Sequence, residues 1–251
     1  MQNKIQWKNN EEKVIKKAHD MLVSGGNAIV SPTKVGYIIT VTDAKGLEKK
    51  FSLKNRSLKK PGVVLCASLE ELHELAQTNA EIDALYKKCY EKDILLGCIL
   101  PWKPESADKY IPDDARSFVQ DPRQTSCFVV RYGAPSEKIV REVWEKDNKL
   151  VFASSANPSG QGNRGRLEGI GEQIANGADL LIEADEFVAA QQPDKNDETR
   201  YEQGVMVSMV DENGNLINIP EVIRKGLDVD KIMHEMSTIY NAFDYRHGNY
   251  H

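Results

Sequence analysis

Residues 149–166 read KLVFASSANPSGQGNRGR. Lys149 to Ala153 carries a short apolar run that predicts a buried strand. The residues after it are unusual for a simple turn: hydroxyls and an asparagine, three glycines, then Arg164 and Arg166. Glycine lets backbone approach a ligand closely, while the polar side chains and the arginines suit a polar, anionic one. Such a loop after a strand suggests a pocket loop for a ligand of that kind. An Asx-type turn built on Asn157, Pro158 and Gly160 is the plainer alternative.

Working outward, strand and helix patterns alternate. Residues 10–24 place Val14, Ala18, Met21 and Leu22 on one helical face, closed by Gly25-Gly26. Ala28 to Val30 and Tyr37 to Val41 read as strands, and so do Val63–Cys66, Cys98–Leu100, Ser126–Arg131 and Leu150–Ala153. Ser68 with Glu71 three residues on is a capping box for a helix over 68–78, and 80–92 and 136–146 are helical by spacing. A helix near 167–176, a strand at Leu180–Ile182, strands near 205–210 and 215–218, and a helix over 229–241 complete the pattern. This alternation predicts an α/β domain with an open, twisted, mixed sheet and flanking helices. Residues 189–204, polar and poor in apolar anchors, are expected to form a mobile loop.

Bulk properties narrow the function classes. The 251 residues are 40% hydrophobic and 28% charged, ordinary for a globular chain, with a net charge of −5 that argues against wholesale coating of nucleic acid. Charge is segregated: residues 45–60 are strongly basic and 185–202 acidic. The four cysteines, Cys66, Cys89, Cys98 and Cys127, show no CxxC spacing and no neighbouring histidines, which argues against a zinc site or a disulfide framework. No metal-ligating set is expected. The polar N-terminal stretch and the lack of a membrane-length apolar run predict a cytoplasmic protein with no membrane partner.

Candidate chemistry lies in two places. Lys54 and Arg56, if extended, face the same way, and Lys60-Pro61 comes soon after; such cations can form a phosphate clamp, although a solvated basic hairpin is the commoner outcome for such a stretch. Ser155 and Asn157, two residues apart after a strand, can hold a nucleotide or carboxylate by side-chain hydrogen bonds. No GxSxG elbow and no GxxxxGK[ST] loop occurs, so neither a serine triad nor a P-loop is supported. Chemistry done by positioning and charge neutralisation suits adenylyl transfer, in which a carboxylate attacks the α-phosphate of ATP.

The order Ser31-Pro32-Thr33, Lys54-x-Arg56 with Lys60-Pro61, Val129-Val130-Arg131 and Ser154-Ser155-Ala156-Asn157-Pro158-Ser159-Gly160 resembles the YrdC-like family. Val207–Asp211 resembles its Ser-Thr-Val-Val-Asp strand, and Ile223-Arg224-Lys225-Gly226 its Leu-Arg-Pro-Gly. The resemblance spans roughly residues 10–230. It implies a catalytic domain over 10–228 with a concave basic cavity, followed by a C-terminal helix and polar tail over 229–251. The implied activity is a nucleotidyltransferase that makes threonylcarbamoyl-AMP from L-threonine, bicarbonate and ATP with Mg²⁺. A partner transferase then passes the group to tRNA.

Carried over residue by residue, the resemblance makes Lys54 and Arg56 the catalytic cations. It assigns Lys60, Ser155, Asn157, Ser208 and Arg224 to nucleotide and phosphates, and Thr33 and Tyr37 to the amino acid and adenylate. Two departures stand out. The family's Pro-Thr-x-Thr-x-Tyr-Gly-Leu is here Pro32-Thr33-Lys34-Val35-Gly36-Tyr37-Ile38-Ile39, so an aliphatic side chain replaces the second hydroxyl. Asp93-Ile94-Leu95-Leu96-Gly97 stands where Trp-Pro-Gly-Pro-Leu-Thr is usual. A relative with another acceptor, or a non-catalytic RNA-binding module, is the alternative these changes leave open.

Overall fold

In the computed structural model, which describes residues 3–54, 63–158 and 162–246, strands and helices alternate along the chain. Strand β1 (Lys4–Gln6) precedes helix α1 (Glu11–Ser24), and β2 (Ile29–Thr33) and β3 (Gly36–Val41) come next as an antiparallel pair. Helix α2 (Ala44–Leu53) leads to β4 (Val63–Leu65); α3 (Leu69–Leu75) and α4 (Ala80–Glu91) lead to β5 (Leu96–Pro101). Short helices α5 (Pro104–Tyr110) and α6 (Arg116–Val119) precede β6 (Thr125–Val130), α7 (Ala134–Asp147) and β7 (Val151–Ser155). A 3-10 turn (Leu167–Ile170), α8 (Glu172–Gly177), β8 (Leu180–Glu183) and α9 (Asp185–Ala190) come next. The described chain closes with β9 (Val205–Val210), β10 (Leu216–Arg224), α10 (Val229–Ser237) and β11 (Asp244–Tyr245).

All eleven described strands join one open, mixed sheet in the order β1-β8-β2-β3-β7-β4-β6-β5-β9-β10-β11. Period-two alternation sorts their side chains onto two faces. Val64, Cys98, Leu100, Phe128, Val130, Val207 and Met209 point to one face, in a core shared with α3, α4 and α10. On the other face α1 and α7 cover β2 and β8, where Val14, Ala18 and Leu22 of α1 meet Ile139, Val140 and Val143 of α7. That cover stops short of the middle of the sheet, and a concave opening remains over β4, β6, β5 and β9. No helix among the described residues is long and apolar enough to cross a membrane.

The structure changes several expectations. Lys54 does not lie on an extended segment: residues 44–53 are helical and Lys54 caps them, because Asp43 accepts from Gly46 N at 2.8 Å and Ala44, Leu47 and Phe51 share a buried face. Arg56 and Lys60 lie outside the described residues. The helix expected near 167–176 is broken at Gly171 (φ 83) into a 3-10 turn and α8. The polar segment 189–204 is fastened to the body. Buried Gln192 donates to Lys34 O (3.3 Å) and Tyr201 O (2.9 Å) and accepts from Tyr201 N (2.8 Å). The four cysteines are buried free thiols.

Candidate active site

The concave opening is a cavity of about 440 Å³. Its floor is laid by the sheet register: Val63 pairs with Cys127 and Leu65 with Val129, and Cys127 and Val129 pair in turn with Ile99 and Gly97. Gly97 keeps the floor low, since a Cβ there would meet Cys127 Sγ and Val129 Cγ2 at 3.0 Å each. The walls come from the turn 33–37, the end of β7, residues 202–206 and Arg224. Segments far apart in sequence thus converge on one site because the strand order is not sequential.

One rim is polar. Buried Lys54 donates from Nζ to Ser155 O (2.5 Å) and Ser155 Oγ (3.1 Å), tying the end of α2 to the end of β7. Asn157 lies just beyond, with Nδ2 donating to Pro158 O (3.1 Å). Its Oδ1 is buried and has no partner among the described residues. This rim is positioned by a residue that no sequence motif singles out. Asn163, 4% exposed, donates to Tyr37 O (3.1 Å) and Ala156 O (3.2 Å) and accepts from Gly165 N (3.1 Å). It ties residues 163–165 to β3 and to Ala156, which lies between the two proposed contact residues. Nothing in the local pattern Asn-Arg-Gly says that the amide reaches back 126 residues to Tyr37.

Opposite stands Arg224, the last residue of β10, in register with Met206 of β9. Its Nε donates to Gly204 O (3.0 Å), and no carboxylate among the described residues pairs with it. Burial pulls its pKa below the ordinary arginine value, while the neighbouring Cys127 thiol acts the other way. The same burial pushes Cys127 up to about 11, so it stays a thiol at neutral pH. A half-buried guanidinium on a cavity wall, with no acid paired to it among the described residues, is a ready anion partner.

The other charged side chains on the wall are Arg123, Asp121 and Glu202. Asp121 is spent within its own loop, accepting from Arg123 N (2.9 Å), Thr125 N (3.1 Å) and Arg123 Nη2 (2.6 Å). Glu202 accepts from Arg164 N. Among the described residues the wall therefore balances two acids against two cations. Ser208 pairs with Ile99 and Glu221 in the sheet, and its Oγ donates to Val210 O (3.1 Å); it does not border the cavity.

The remaining wall holds Thr33 and Tyr37, both with their hydroxyls committed. Thr33 Oγ1 donates to Gly36 O (2.8 Å) and accepts from Val35 N (3.3 Å), shaping the turn where Gly36 takes φ 117. Tyr37 donates to Asp185 Oδ1 (2.5 Å) and accepts from Ala184 N (2.9 Å). Burial, followed by that bond to Asp185, raises the Tyr37 pKa. Asp185 also accepts from Leu167 N (2.9 Å), so it joins β3, α9 and the start of the 3-10 turn. In sequence it reads only as an acidic residue opening a helix. Thr33, Tyr37, Ser155 and Arg224 thus line one cavity, with Lys54 behind Ser155 and Asn157 beside it.

The model of the Sua5/YciO/YrdC family, described as "Telomere recombination", matches residues 21–195. A hypothetical protein from Streptococcus mutans is similar over all of both chains, at 50% identity and a TM-score of 0.92. Sua5 from P. abyssi, solved in complex with L-threonine, is 18% identical with a TM-score of 0.64, over 97% of this chain and 62% of that one. Full-length HypF in its phosphate- and nucleotide-bound form is 16% identical with a TM-score of 0.59, over 84% of this chain and 28% of that one. At those identities Sua5 and HypF show a shared fold. No curated protein matches the chain.

Proposed function

The chain belongs to the Sua5/YciO/YrdC family, and from that premise we propose that it makes threonylcarbamoyl-AMP from L-threonine, bicarbonate and ATP, releasing pyrophosphate. The product would pass to a transferase that modifies an adenosine in tRNA. The observation that carries the reading is Arg224, a guanidinium without an acidic partner among the described residues, set into the wall of a cavity whose opposite rim is Lys54, Ser155 and Asn157. The fold shared with a threonine-bound Sua5 and a nucleotide-bound HypF supports both halves of the substrate set.

The chemistry needs no covalent enzyme intermediate. Bicarbonate gives CO₂ by losing hydroxide; the amine nitrogen of threonine bonds to the CO₂ carbon, one C=O pair moves onto oxygen, and the amine proton leaves with the hydroxide as water, which gives a carbamate. A carbamate oxygen then attacks the α-phosphorus, the α–β phosphoanhydride P–O bond breaks, and pyrophosphate leaves with the electron pair. Positioning and charge neutralisation are the protein's contributions. Arg224 takes the phosphate charge, Ser155 and Asn157 hold the nucleotide, and Lys54 fixes Ser155. Arg56 and Lys60, outside the described residues, are assigned to the phosphates by resemblance alone. Magnesium would arrive on the triphosphate: Asp121 is already bound on both oxygens, and the described residues contain no cluster of three potential ligands.

Pyrophosphate release from ATP in the presence of magnesium tests this reading. Release is expected to require both bicarbonate and an amino acid, and Arg224→Ala is expected to lower kcat/KM by roughly 10²-fold, the scale of one lost charge-stabilising contact. Release that ignores the amino acid, or an unaffected Arg224→Ala variant, would overturn it.

A further inference from the structure

The two stretches in which the chain departs from the family pattern, residues 32–39 and 93–97, are joined in the folded protein by a salt bridge. Lys34, 5% exposed, reaches Asp93 Oδ1 at 2.8 Å and donates to Asp93 O at 2.5 Å. Arg131, just past the end of β6, reaches the same Asp93 oxygen from Nη2 at 2.7 Å. Its other amino group stands 3.5 Å from Glu137 Oε2, and its guanidinium lies over the Tyr90 ring, 4.7 Å from the ring centre. One carboxylate thus gathers cations from two other segments of the chain.

This cluster stands immediately behind the cavity wall. Thr33 and Val35 flank Lys34, Leu95 follows Asp93 by two residues, and Tyr132 follows Arg131; those four neighbours line the cavity. Leu96 pairs with Val130, so Asp93 and Arg131 close the same end of the β5–β6 ladder, and Lys34 N donates to Tyr132 O at 2.8 Å. Asp93 (φ 55) and Arg131 (φ 58) both take the left-handed backbone conformation, which side chains other than glycine adopt at a cost. Such strain persists where the surroundings over-determine it, and it gathers at functional positions. Removing Asp93's charge leaves a buried ammonium without a countercharge, which costs more than breaking a pair in open solvent.

We propose that Asp93 is a positioning residue: by holding Lys34 and Arg131 together it fixes the turn 33–37 against β5 and β6, and with it the wall that the acceptor meets. The proposal rests on the reading that the acceptor is an amino acid bound beside Thr33 and Tyr37. The nucleotide side of the cavity, with Ser155, Asn157 and Lys54, is held by separate bonds and does not depend on this cluster. Loss of the bridge therefore acts on one substrate and spares the other.

Two variants test this. Asp93→Asn removes the charge while keeping a residue that tolerates the left-handed conformation, and Lys34→Met keeps the aliphatic stem without the ammonium. In bicarbonate-dependent pyrophosphate release, each is expected to raise the KM for L-threonine by about tenfold or more, since a small misplacement of a binding wall is amplified in the rate. The kcat, and the Kd for ATP from calorimetric titration, are expected within about threefold of wild type. Hydrogen exchange followed by mass spectrometry should quicken at the amides of residues 34 and 35 and stay unchanged along β7. An unmoved KM for threonine overturns the proposal, and so does a parallel loss of ATP affinity, which would make the cluster a general support of the fold. If the wild-type protein releases no pyrophosphate with threonine, the synthase reading falls. Hydrogen exchange then decides the positioning claim alone: faster exchange at 34 and 35 upholds it, and unchanged exchange overturns it.

Discussion

Glu71 is a carboxyl shut inside the protein, 1% exposed. Its Oε2 accepts from Ala67 N at 2.7 Å, while Oε1 has no partner among the described residues. Burial pushes its pKa up to about 8, against the backbone bond and Arg141, which pull the other way. The native state therefore holds a proton that the unfolded chain gives up near pH 4.5. Stability from this group is greatest below that value and is lost as pH rises toward about 8, by at most about 1.4 kcal/mol per pH unit. Glu71→Gln keeps an acceptor for Ala67 N and cannot ionise. Urea unfolding between about pH 5 and 8 should show a flatter profile for the variant, and an unchanged slope would assign the dependence elsewhere. Residue-scale function was only partly legible in the sequence. Ser155, Asn157 and Arg224 carry polar groups that announce themselves, whereas Asn163 and Asp185 matter through partners more than a hundred residues away.

At the scale of one element, α2 delivers Lys54. Asp43 is its N-cap, accepting from Gly46 N at 2.8 Å, and the same carboxylate accepts from Gly26 N at 2.9 Å. Lys54 closes the other end and reaches Ser155. Asp43→Ala should cost about 1–2 kcal/mol of stability in chemical unfolding. On the proposed function it should also raise the KM for ATP, because a loosened helix holds the lysine less firmly at the rim; an unaltered KM would separate helix from site. This helix was hidden by composition. Lysines crowd the stretch and suggest a solvated hairpin, yet buried Lys50 and the spacing of Ala44, Leu47 and Phe51 describe a packed face. The β2–β3 pair, α1, α4 and α7 were readable because caps, glycine stops and apolar periodicity agreed with one another.

For the whole molecule, the sheet order decides where function sits. Strands β6 and β5 lie between β4 and β9, so Cys127, Val129, Gly97 and Arg224 meet although the chain visits them separately. The C-terminal segment is part of this body. Ile232 and Met236 of α10 are fully buried in the same core as Ile82 and Cys89 of α4, and β11 pairs with β10. A chain ending at residue 228 should consequently lose its cooperative thermal transition and aggregate. A soluble 1–228 protein that melts cooperatively would show that α10 merely decorates the domain.

The sequence by itself determined the α/β class, most of the elements, the family resemblance and the glycine-rich loop after β7, because each is written in local periodicity, caps and short motifs. Tertiary structure alone decided that the basic stretch begins as a helix, that Arg224 has no acidic partner among the described residues, and that the hydroxyls of Thr33 and Tyr37 are already spent. Those facts depend on which distant groups the sheet register brings within hydrogen-bonding distance, and no local pattern encodes that.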